Sequence, residues 1–148
     1  MPNDDQQSAA DYSIEELMTV YLSRQLQDGE HGVIGGYSQI PRAACRLAQL
    51  SIAPNLCFMT SGIMNPNFRR LAIGQMDYSY VQRCEMRLGN EKINDFEFNR
   101  RCFQFAFWGG FQVDKYGNLN LAFFGDQKRP KFRGPGVVGH IYTWRADR

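Results

Sequence analysis

The chain has 148 residues, enough for one domain with a sizeable core and too few for two. Its 43% apolar and 22% charged content is ordinary for a globular protein. It contains no run of about 18 apolar residues, so no membrane span is predicted. A net charge of +2 gives no general case for a nucleic-acid partner. Residues 1–12 are polar, without a signal-peptide core, so we expect a disordered lead-in and a cytoplasmic protein.

The four cysteines, Cys45, Cys57, Cys84 and Cys102, are scattered with no C-x-x-C pair. With only two histidines to join them they match no zinc spacing, so no metal site is expected. All but Cys84 sit in apolar sequence, which favours buried, inert thiols.

The first predicted element is a helix. Ser13 and Glu16 form a capping box that opens it, and Asp28-Gly29 is expected to end it. An apolar stripe at helical spacing lies along one face: Ile14, Leu17, Met18, Tyr21, Leu22 and Leu26.

A strand and a second helix come next. Val33-Ile34 is the core of a short strand that breaks at Gly35-Gly36, and Pro41 lies in the first turn of the following helix. The order helix, strand, glycine turn, helix, strand predicts one α/β domain over residues 13–148, with an open, mostly parallel sheet and flanking helices. Ligands gather at the carboxyl ends of such strands, which favours Gly35 and Gly36 as pocket residues. The helix residues expected to face inward are Ala44, Leu47 and Ala48.

The second half of the chain is rich in aromatics and glycine. Tyr78 to Leu88 is compatible with a helix, and the apolar run Phe103 to Trp108 predicts a strand that meets Gly109-Gly110. Asp114 to Asn118 then predicts a tight turn before a second strand, Leu119 to Phe124.

A basic loop and a glycine loop follow this hairpin. Gly134-Pro135-Gly136 begins a formal G-x-G-x-x-G match, but a basic loop precedes it and the strand-like Ile141 to Trp144 follows, so we reject dinucleotide binding. The glycine loop could instead offer bare backbone N–H groups to an anionic ligand, or be a plain turn. The cations either hold the phosphates of a ligand or form a solvated surface loop: Lys128, Arg129, Lys131 and Arg133.

These segments, in this order, resemble family I CoA transferases, specifically the beta-type subunit of the glutaconate CoA-transferase kind. The resemblance rests on the following stretches: Ala53-Pro54-Asn55, Leu56 to Thr60, Ser61-Gly62-Ile63-Met64, Gly109 to Asp114, Tyr116-Gly117-Asn118 and Arg133 to Gly136.

The resemblance implies a CoA-transferase-like fold, an alpha-type partner subunit, and an acyl-CoA/carboxylic acid pair as substrates. CoA then enters as substrate, and no cofactor is expected. With the glycine turn after the first strand, it implies a substrate and CoA site made of Gly35, Gly36, Ser61, Gly62, Gly109, Gly110, Arg129, Arg133, Gly134 and Gly136.

One departure from the family pattern concerns the nucleophile. Thr60 stands where the family has a glutamate that carries CoA as a thioester, and a hydroxyl cannot form the mixed anhydride this requires. Another carboxylate could replace it, and no one of the candidates stands out. One alternative function is a carbon–carbon hydrolase or decarboxylase subunit of the same fold, and another is a non-catalytic structural partner. Thr60 itself could simply be a hydroxyl at the end of a strand that bonds to backbone. The candidate carboxylates are Glu85, Glu91, Asp95 and Glu97.

The resemblance also implies that family subunits continue well beyond His140 to Arg148. Two hypotheses remain open here: a truncated product, or a shortened domain whose sheet edge and apolar surface are covered by a partner.

Overall fold

The computed structural model describes residues 11–35, 38–67, 78–89 and 103–136. Its first element is helix α1 (Ile14–Ser23). The predicted capping box is confirmed: the Ser13 hydroxyl accepts from the Glu16 N–H at 3.2 Å, and the Glu16 carboxylate accepts from the Ser13 N–H at 2.7 Å. Two donors at the start of the helix are thereby satisfied reciprocally.

A five-stranded sheet forms the centre of the fold. Its strands are β1 (His31–Ile34), β2 (Cys57–Thr60), β3 (Ile63–Met64), β4 (Met86–Arg87) and β5 (Phe105–Phe107), in the order β4-β3-β2-β1-β5. β1 pairs in parallel with β2 and β5, whereas β3 and β4 add antiparallel strands at one edge. The expected α/β fold is confirmed; the sheet predicted to be mostly parallel is a mixed sheet with a parallel core.

Helix α2 (Gln39–Ser51) connects β1 to β2 and covers one face of the sheet. Its residues Cys45 and Ala48 are fully buried in a cluster with Phe58 of β2. Because β1 and β2 are parallel, α2 must run back against their direction, and its first turn lies at the end of the sheet where the strands finish. Two of its predicted inward residues, Ala44 and Ala48, are buried, and Leu47 is half-buried.

Helix α1 ends earlier than predicted. It stops at Ser23, whose hydroxyl donates to the Val20 carbonyl at 2.8 Å, and Gly29 then forms a separate turn with φ of +80°. The early stop lets Leu26 leave the helical path and enter the core. The apolar stripe is largely exposed, with Ile14 at 62% and Tyr21 at 64%.

The helix predicted over Tyr78 to Leu88 is only partly present. Helix α3 covers Tyr78–Gln82, and the chain then extends into β4. The Glu85 N–H donates to the Met64 carbonyl and the Leu88 N–H to the Gly62 carbonyl, so pairing with β3 takes this segment out of the helix.

Two small hairpins follow β5. Strands β6 (Gln112–Val113) and β7 (Leu119–Asn120) form the first, and β8 (Phe123–Gly125) and β9 (Pro130–Arg133) form the second. The single strand predicted over Leu119 to Phe124 is therefore wrong. The Asn120 side chain accepts from the Ala122 N–H and donates to the Phe123 carbonyl, which closes a local turn between β7 and β8.

The basic loop predicted after Phe124 is also partly wrong, because its second half is strand β9. Several sequence predictions lie outside the described residues: the lead-in up to residue 10, Gly36, Cys102 and the strand at Ile141 to Trp144. No helix among the described segments is long and apolar enough to cross a bilayer.

Candidate functional site at the carboxyl edge of the sheet

The carboxyl ends of three parallel strands lie side by side, in the order β2, β1, β5. Thr60 ends β2, Gly35 follows β1, and Trp108 follows β5. The Gly35 N–H donates to the Phe107 carbonyl at 3.3 Å, which ties the glycine turn to the neighbouring strand. The edge thus brings together Gly35, Thr60 and the Gly109-Gly110 pair, which the sequence placed at one site.

A two-residue turn fixes the end of β2. Thr60 pairs with Ile63 across it, and the turn residues Ser61 and Gly62 both have positive φ, +48° and +76°. Positive φ at both positions is characteristic of a type I′ hairpin, which matches the twist of the strands it joins. Ser61 is exposed at the tip, whereas Thr60 is held beneath it.

Thr60 is fully buried, at 0% exposure. Its hydroxyl has no hydrogen-bond partner among the described residues, so the interpretation of Thr60 as a hydroxyl bonded to backbone is wrong. A buried hydroxyl without a partner costs about 1–3 kcal/mol. A residue of this shape without the hydroxyl would therefore be more stable here.

The Gly109-Gly110 pair is exposed at the end of β5. A Cβ on Gly109 would meet nothing within 4 Å, whereas one on Gly110 would lie 2.9 Å from a Leu119 methyl carbon. Gly110 is therefore needed for the close approach of the first hairpin, and Gly109 leaves open space beside the edge.

Asp114 organises the turn of the first hairpin, as the sequence predicts. Its carboxylate accepts from the N–H groups of Tyr116 and Asn118 at 2.8 and 2.9 Å, and from the Asn118 side-chain amide at 2.7 Å. The Asn118 side chain, followed by its backbone N–H, lowers the pKa of this carboxyl because both bonds favour the charged form. Asp114 and Asn118 are turn residues.

In the glycine loop, the backbone N–H groups of Gly134 and Gly136 are already hydrogen-bonded. The Gly134 N–H donates to the Ala122 carbonyl at 2.8 Å, and the Gly136 N–H donates to the Leu121 carbonyl at 3.1 Å. The expectation of free N–H groups at these two glycines is wrong, because pairing with the turn between the hairpins consumes them. Substrate contact by this loop stays a prediction.

The cations of the second hairpin are exposed. Asp126 accepts from the N–H groups of Lys128 and Arg129 at 2.7 and 3.3 Å, which shapes the turn that presents them. Arg133 and Lys131 follow in β9, two residues apart and therefore on one face. Phosphate contact by these cations stays a prediction.

Phenylalanines join the two hairpins. The rings of Phe111, Phe124 and Phe132 lie 5.4–6.0 Å apart, and Phe111 and Phe132 remain 42% and 49% exposed. Phe111 also covers Gly134 so closely that an added Cβ would overlap its ring. This packing places the second hairpin beside the Gly110–Phe111 end of the first.

One residue at the edge was missed by sequence reasoning. Arg42, in the first turn of α2, is fully buried and is the largest fully buried side chain among the described residues. Arginine side chains are almost always exposed, and nothing about an arginine after Pro41 at a helix start indicates burial, so the sequence did not predict that Arg42 is buried.

The candidate carboxylate Glu85 lies elsewhere. Its carboxylate accepts from the Asn65 side-chain amide at 3.0 Å. The Asn65 side-chain oxygen in turn accepts from the N–H of Phe58, which lies two residues before Thr60, toward the start of β2.

Cys45 is buried as predicted, and burial raises its thiol pKa. Cys57 is half-buried, and its thiol pKa is raised by burial and, secondarily, by the Glu85 charge. Glu91, Asp95 and Glu97 fall outside the described residues.

A three-stranded parallel core with α2 on one face defines an α/β protein, the class of fold in which ligands bind at the carboxyl ends of the strands. The family model for coenzyme A transferases matches residues 15–144 of the chain, which therefore belongs to this family. The resemblance found in the sequence is thereby confirmed.

Two curated relatives are B-type subunits of CoA transferases. The chain is 30% identical to the B-type subunit of 3-oxoadipate CoA-transferase from Pseudomonas knackmussii, over 86% of its own length and 49% of the relative. It is 27% identical to the B-type subunit of glutaconate CoA-transferase from Acidaminococcus fermentans, over 90% of its length and 52% of the relative. The chain thus spans about half the length of the relatives it matches.

Solved structures share the fold. The decarboxylase AibA/AibB superposes with a TM-score of 0.84 at 24% identity, covering 93% of this chain and 58% of that one. Glutaconate CoA-transferase from Acidaminococcus fermentans superposes with a TM-score of 0.78 at 27% identity. The match covers 87% of this chain and 51% of that one. IpdAB of Rhodococcus jostii superposes with a TM-score of 0.65 at 20% identity, covering 90% of this chain and 51% of that one.

Proposed function

We propose that this chain forms part of a beta-type subunit that works with an alpha-type partner on an acyl-CoA and a carboxylic acid. The observation that carries the proposal is the family match over residues 15–144. The two relatives that are B-type subunits and the two-component decarboxylase AibA/AibB support a heteromer. The carboxyl edge, with Gly35, Thr60 and Gly109-Gly110, is the proposed place of the thioester.

The chemistry at this edge depends on Thr60. CoA transfer through a covalent intermediate needs a carboxylate that attacks the thioester carbonyl and releases CoA thiolate, and threonine supplies none. Transfer would then need a carboxylate from the partner or from an undescribed segment. The burial of Thr60 favours a second candidate: decarboxylation or hydrolysis of an acyl-CoA, in which this position binds substrate and does not attack it.

Product analysis by mass spectrometry separates these reactions. The full chain is co-produced with an alpha-type subunit and given glutaryl-CoA with and without acetate. Acetyl-CoA that forms only with acetate means transfer. Carbon dioxide or free CoA released regardless of acetate means decarboxylation or hydrolysis. A well-formed complex that turns over neither way would sink the enzymatic proposal and leave a structural subunit.

A Thr60→Glu variant tests the position directly. If the pocket is otherwise that of a transferase, the new carboxylate forms an acyl-enzyme that mass spectrometry detects as a mass gain. Thr60→Gln is the matched control, because it has the same length but cannot form an anhydride. An inert Thr60→Glu complex would mean that more than one residue separates this chain from a transferase.

A further inference from the structure

Residues 110–136, which we call the hairpin arm, hold the two small hairpins and the start of the glycine loop. None of these residues is buried, although three of the phenylalanine rings pack together. A two-stranded hairpin by itself is marginally stable in water, because it buries too little apolar surface. The arm therefore lacks a core of its own and presents its side chains to whatever lies against it.

The aromatic side of the arm is open. The rings of Phe111 and Phe132 contact each other with 5.4 Å between their centroids, yet they are 42% and 49% exposed. Val113, two residues beyond Phe111, is 65% exposed. Exposed apolar side chains that lie together mark surfaces at which proteins bind other molecules, and aromatic residues and arginine are enriched in protein interfaces.

The arm is also strongly basic. It holds five cations against two carboxylates, Asp114 and Asp126, in a chain whose net charge is +2. Both carboxylates accept backbone N–H groups of their own turns. The positive charge of the chain is therefore concentrated on the arm, and the surface that complements it is acidic. The five cations are Lys115, Lys128, Arg129, Lys131 and Arg133.

The cations of the second hairpin flank its exposed ring. In β9, Phe132 lies between Lys131 and Arg133, so these two cations point to the face opposite the ring. Lys128 and Arg129 lie in the turn that leads into the same strand. An apolar centre with a charged rim is the usual anatomy of a protein interface.

Hydrogen bonds hold the two hairpins against each other. The Gly134 N–H donates to the Ala122 carbonyl and the Gly136 N–H to the Leu121 carbonyl, which ties the end of β9 to the turn between the hairpins. The Phe111 ring covers Gly134. A surface that is already formed loses less conformational freedom when a partner binds.

Charge and apolar exposure together select among the possible occupants. A second copy of this chain in a symmetric pair would place one basic arm against another, and like charges oppose that contact. A phosphate group would pair with the cations but leave the phenylalanines uncovered. An acidic polypeptide surface satisfies both halves of the arm. The relatives that are B-type subunits, together with AibA/AibB, support a polypeptide partner.

We propose that the hairpin arm is the docking surface for an acidic face of another polypeptide, the alpha-type subunit. This inference rests on the proposed function, because the alpha-type subunit is the partner proposed there. Phe111 and Phe132 form the centre of the contact and are covered by the partner. At the rim, the cations of β9 and of the preceding turn pair with carboxylates of the partner.

Charge reversal tests the basic half of the surface. The full chain and the alpha-type subunit are mixed, and the dissociation constant of the complex is measured by surface plasmon resonance at rising salt. The double variant Lys128→Glu/Lys131→Glu should weaken the complex at least about tenfold and flatten its salt dependence. Arg83→Glu/Arg87→Glu is the matched control, because it makes the same change in charge at exposed positions outside the arm. It should change the dissociation constant less than about twofold.

A serine substitution tests the apolar half. Phe132→Ser should also weaken the complex at least about tenfold, because aromatic residues at the centre of an interface carry much of the binding free energy. Leu50→Ser is the matched control, since Leu50 is 69% exposed on α2, outside the arm, and should have little effect. The melting temperature of each variant alone shows whether it folds. If Phe132→Ser does not fold, the charge variants and the exchange measurement below decide.

Amide hydrogen exchange gives a readout that needs no substitution. When the alpha-type subunit is added to the wild-type chain, amides within residues 110–136 should become more protected. Those of α2, which already packs on the sheet, should change little. Protection that appears elsewhere in the chain and not in the arm would contradict the proposal.

The outcomes separate this inference from the proposed function. A complex that depends on the arm but turns no substrate over keeps the docking surface and removes the enzymatic function. Equal effects of the arm and control variants, without protection of the arm, overturn the surface and leave the heteromer. No complex at any salt concentration removes both. CoA or a single-stranded oligonucleotide that binds the wild-type chain alone, but not Lys128→Glu/Lys131→Glu, also overturns the surface.

Discussion

Asp114 shows how one side chain can hold a hairpin turn. It receives three hydrogen bonds from Tyr116 and Asn118, and these bonds hold its pKa below the ordinary value of 3.8. A carboxyl whose folded pKa is depressed stabilises the fold above its unfolded pKa, and that contribution is lost as the pH falls through the folded pKa. The turn should therefore loosen only below about pH 4.

Amide hydrogen exchange at Asn118, followed from about pH 6 to pH 2, checks this expectation. Protection relative to the intrinsic rate should fall below about pH 4 in the wild-type chain. Asp114→Asn should show weaker protection throughout and no such step. A wild-type profile without a step would mean that the carboxylate does not hold the turn.

Gly134 shows how one residue can depend on distant packing. An added Cβ would lie closer than 3.0 Å to both the Phe111 ring and the Leu121 carbonyl oxygen, and the second neighbour is backbone that cannot move easily. Gly134→Ala should therefore destabilise the chain by about 1–3 kcal/mol in urea unfolding. Gly89→Ala is the matched control, because nothing lies within 4 Å of its Cβ. Equal effects of the two substitutions would contradict the packing described.

At the scale of elements, one leucine within α1 is exposed and another, just after the helix, is buried. Leu17 is 45% exposed on the apolar stripe, whereas Leu26, just beyond the helix, is 5% exposed in the core. Leu26→Ala should cost about 2–5 kcal/mol, because it removes buried methyl groups and leaves a cavity. Leu17→Ala should cost less than about 1 kcal/mol.

Urea unfolding of the two variants measures the difference. Similar losses would mean that Leu17 is buried in solution, by self-association or by a partner. Repeating the measurement at several protein concentrations separates self-association from a monomeric effect, since only the former depends on concentration.

The arrangement of α1 against α2 is itself informative. A groove of about 470 Å³ between the helices is lined by Glu16 and Thr19 on one side and Ala43 and Leu47 on the other. α1 thus turns its more polar side toward α2 and leaves Ile14 and its stripe outward. An exposed apolar stripe is typical of a surface that another polypeptide segment covers, which supports the subunit proposal.

At the scale of the whole molecule, the three strands of the parallel core all lie within the described residues, and the chain spans about half the length of its relatives. The edge needs only β1, β2, β5 and the turns after them, and these lie within the region of the family match. Turnover is tested on the complex with the partner subunit.

The sequence alone determined the features that depend on neighbours in the chain. The capping box at Ser13, the strand at Val33-Ile34 and the Asp114 turn follow from residues a few positions apart, so pattern and spacing predict them. The family resemblance likewise rests on local stretches in fixed order.

Only the tertiary structure decided what depends on contacts between distant segments. Pairing of β3 with β4 replaced part of a predicted helix, and pairing with Leu121 and Ala122 consumed the glycine-loop N–H groups. The burial of Arg42 and of the Thr60 hydroxyl arises because α2 folds back over the strand ends, a consequence of parallel pairing between segments far apart in sequence. No local pattern encodes contacts between segments so far apart, so the burial of these two side chains became visible only in the fold.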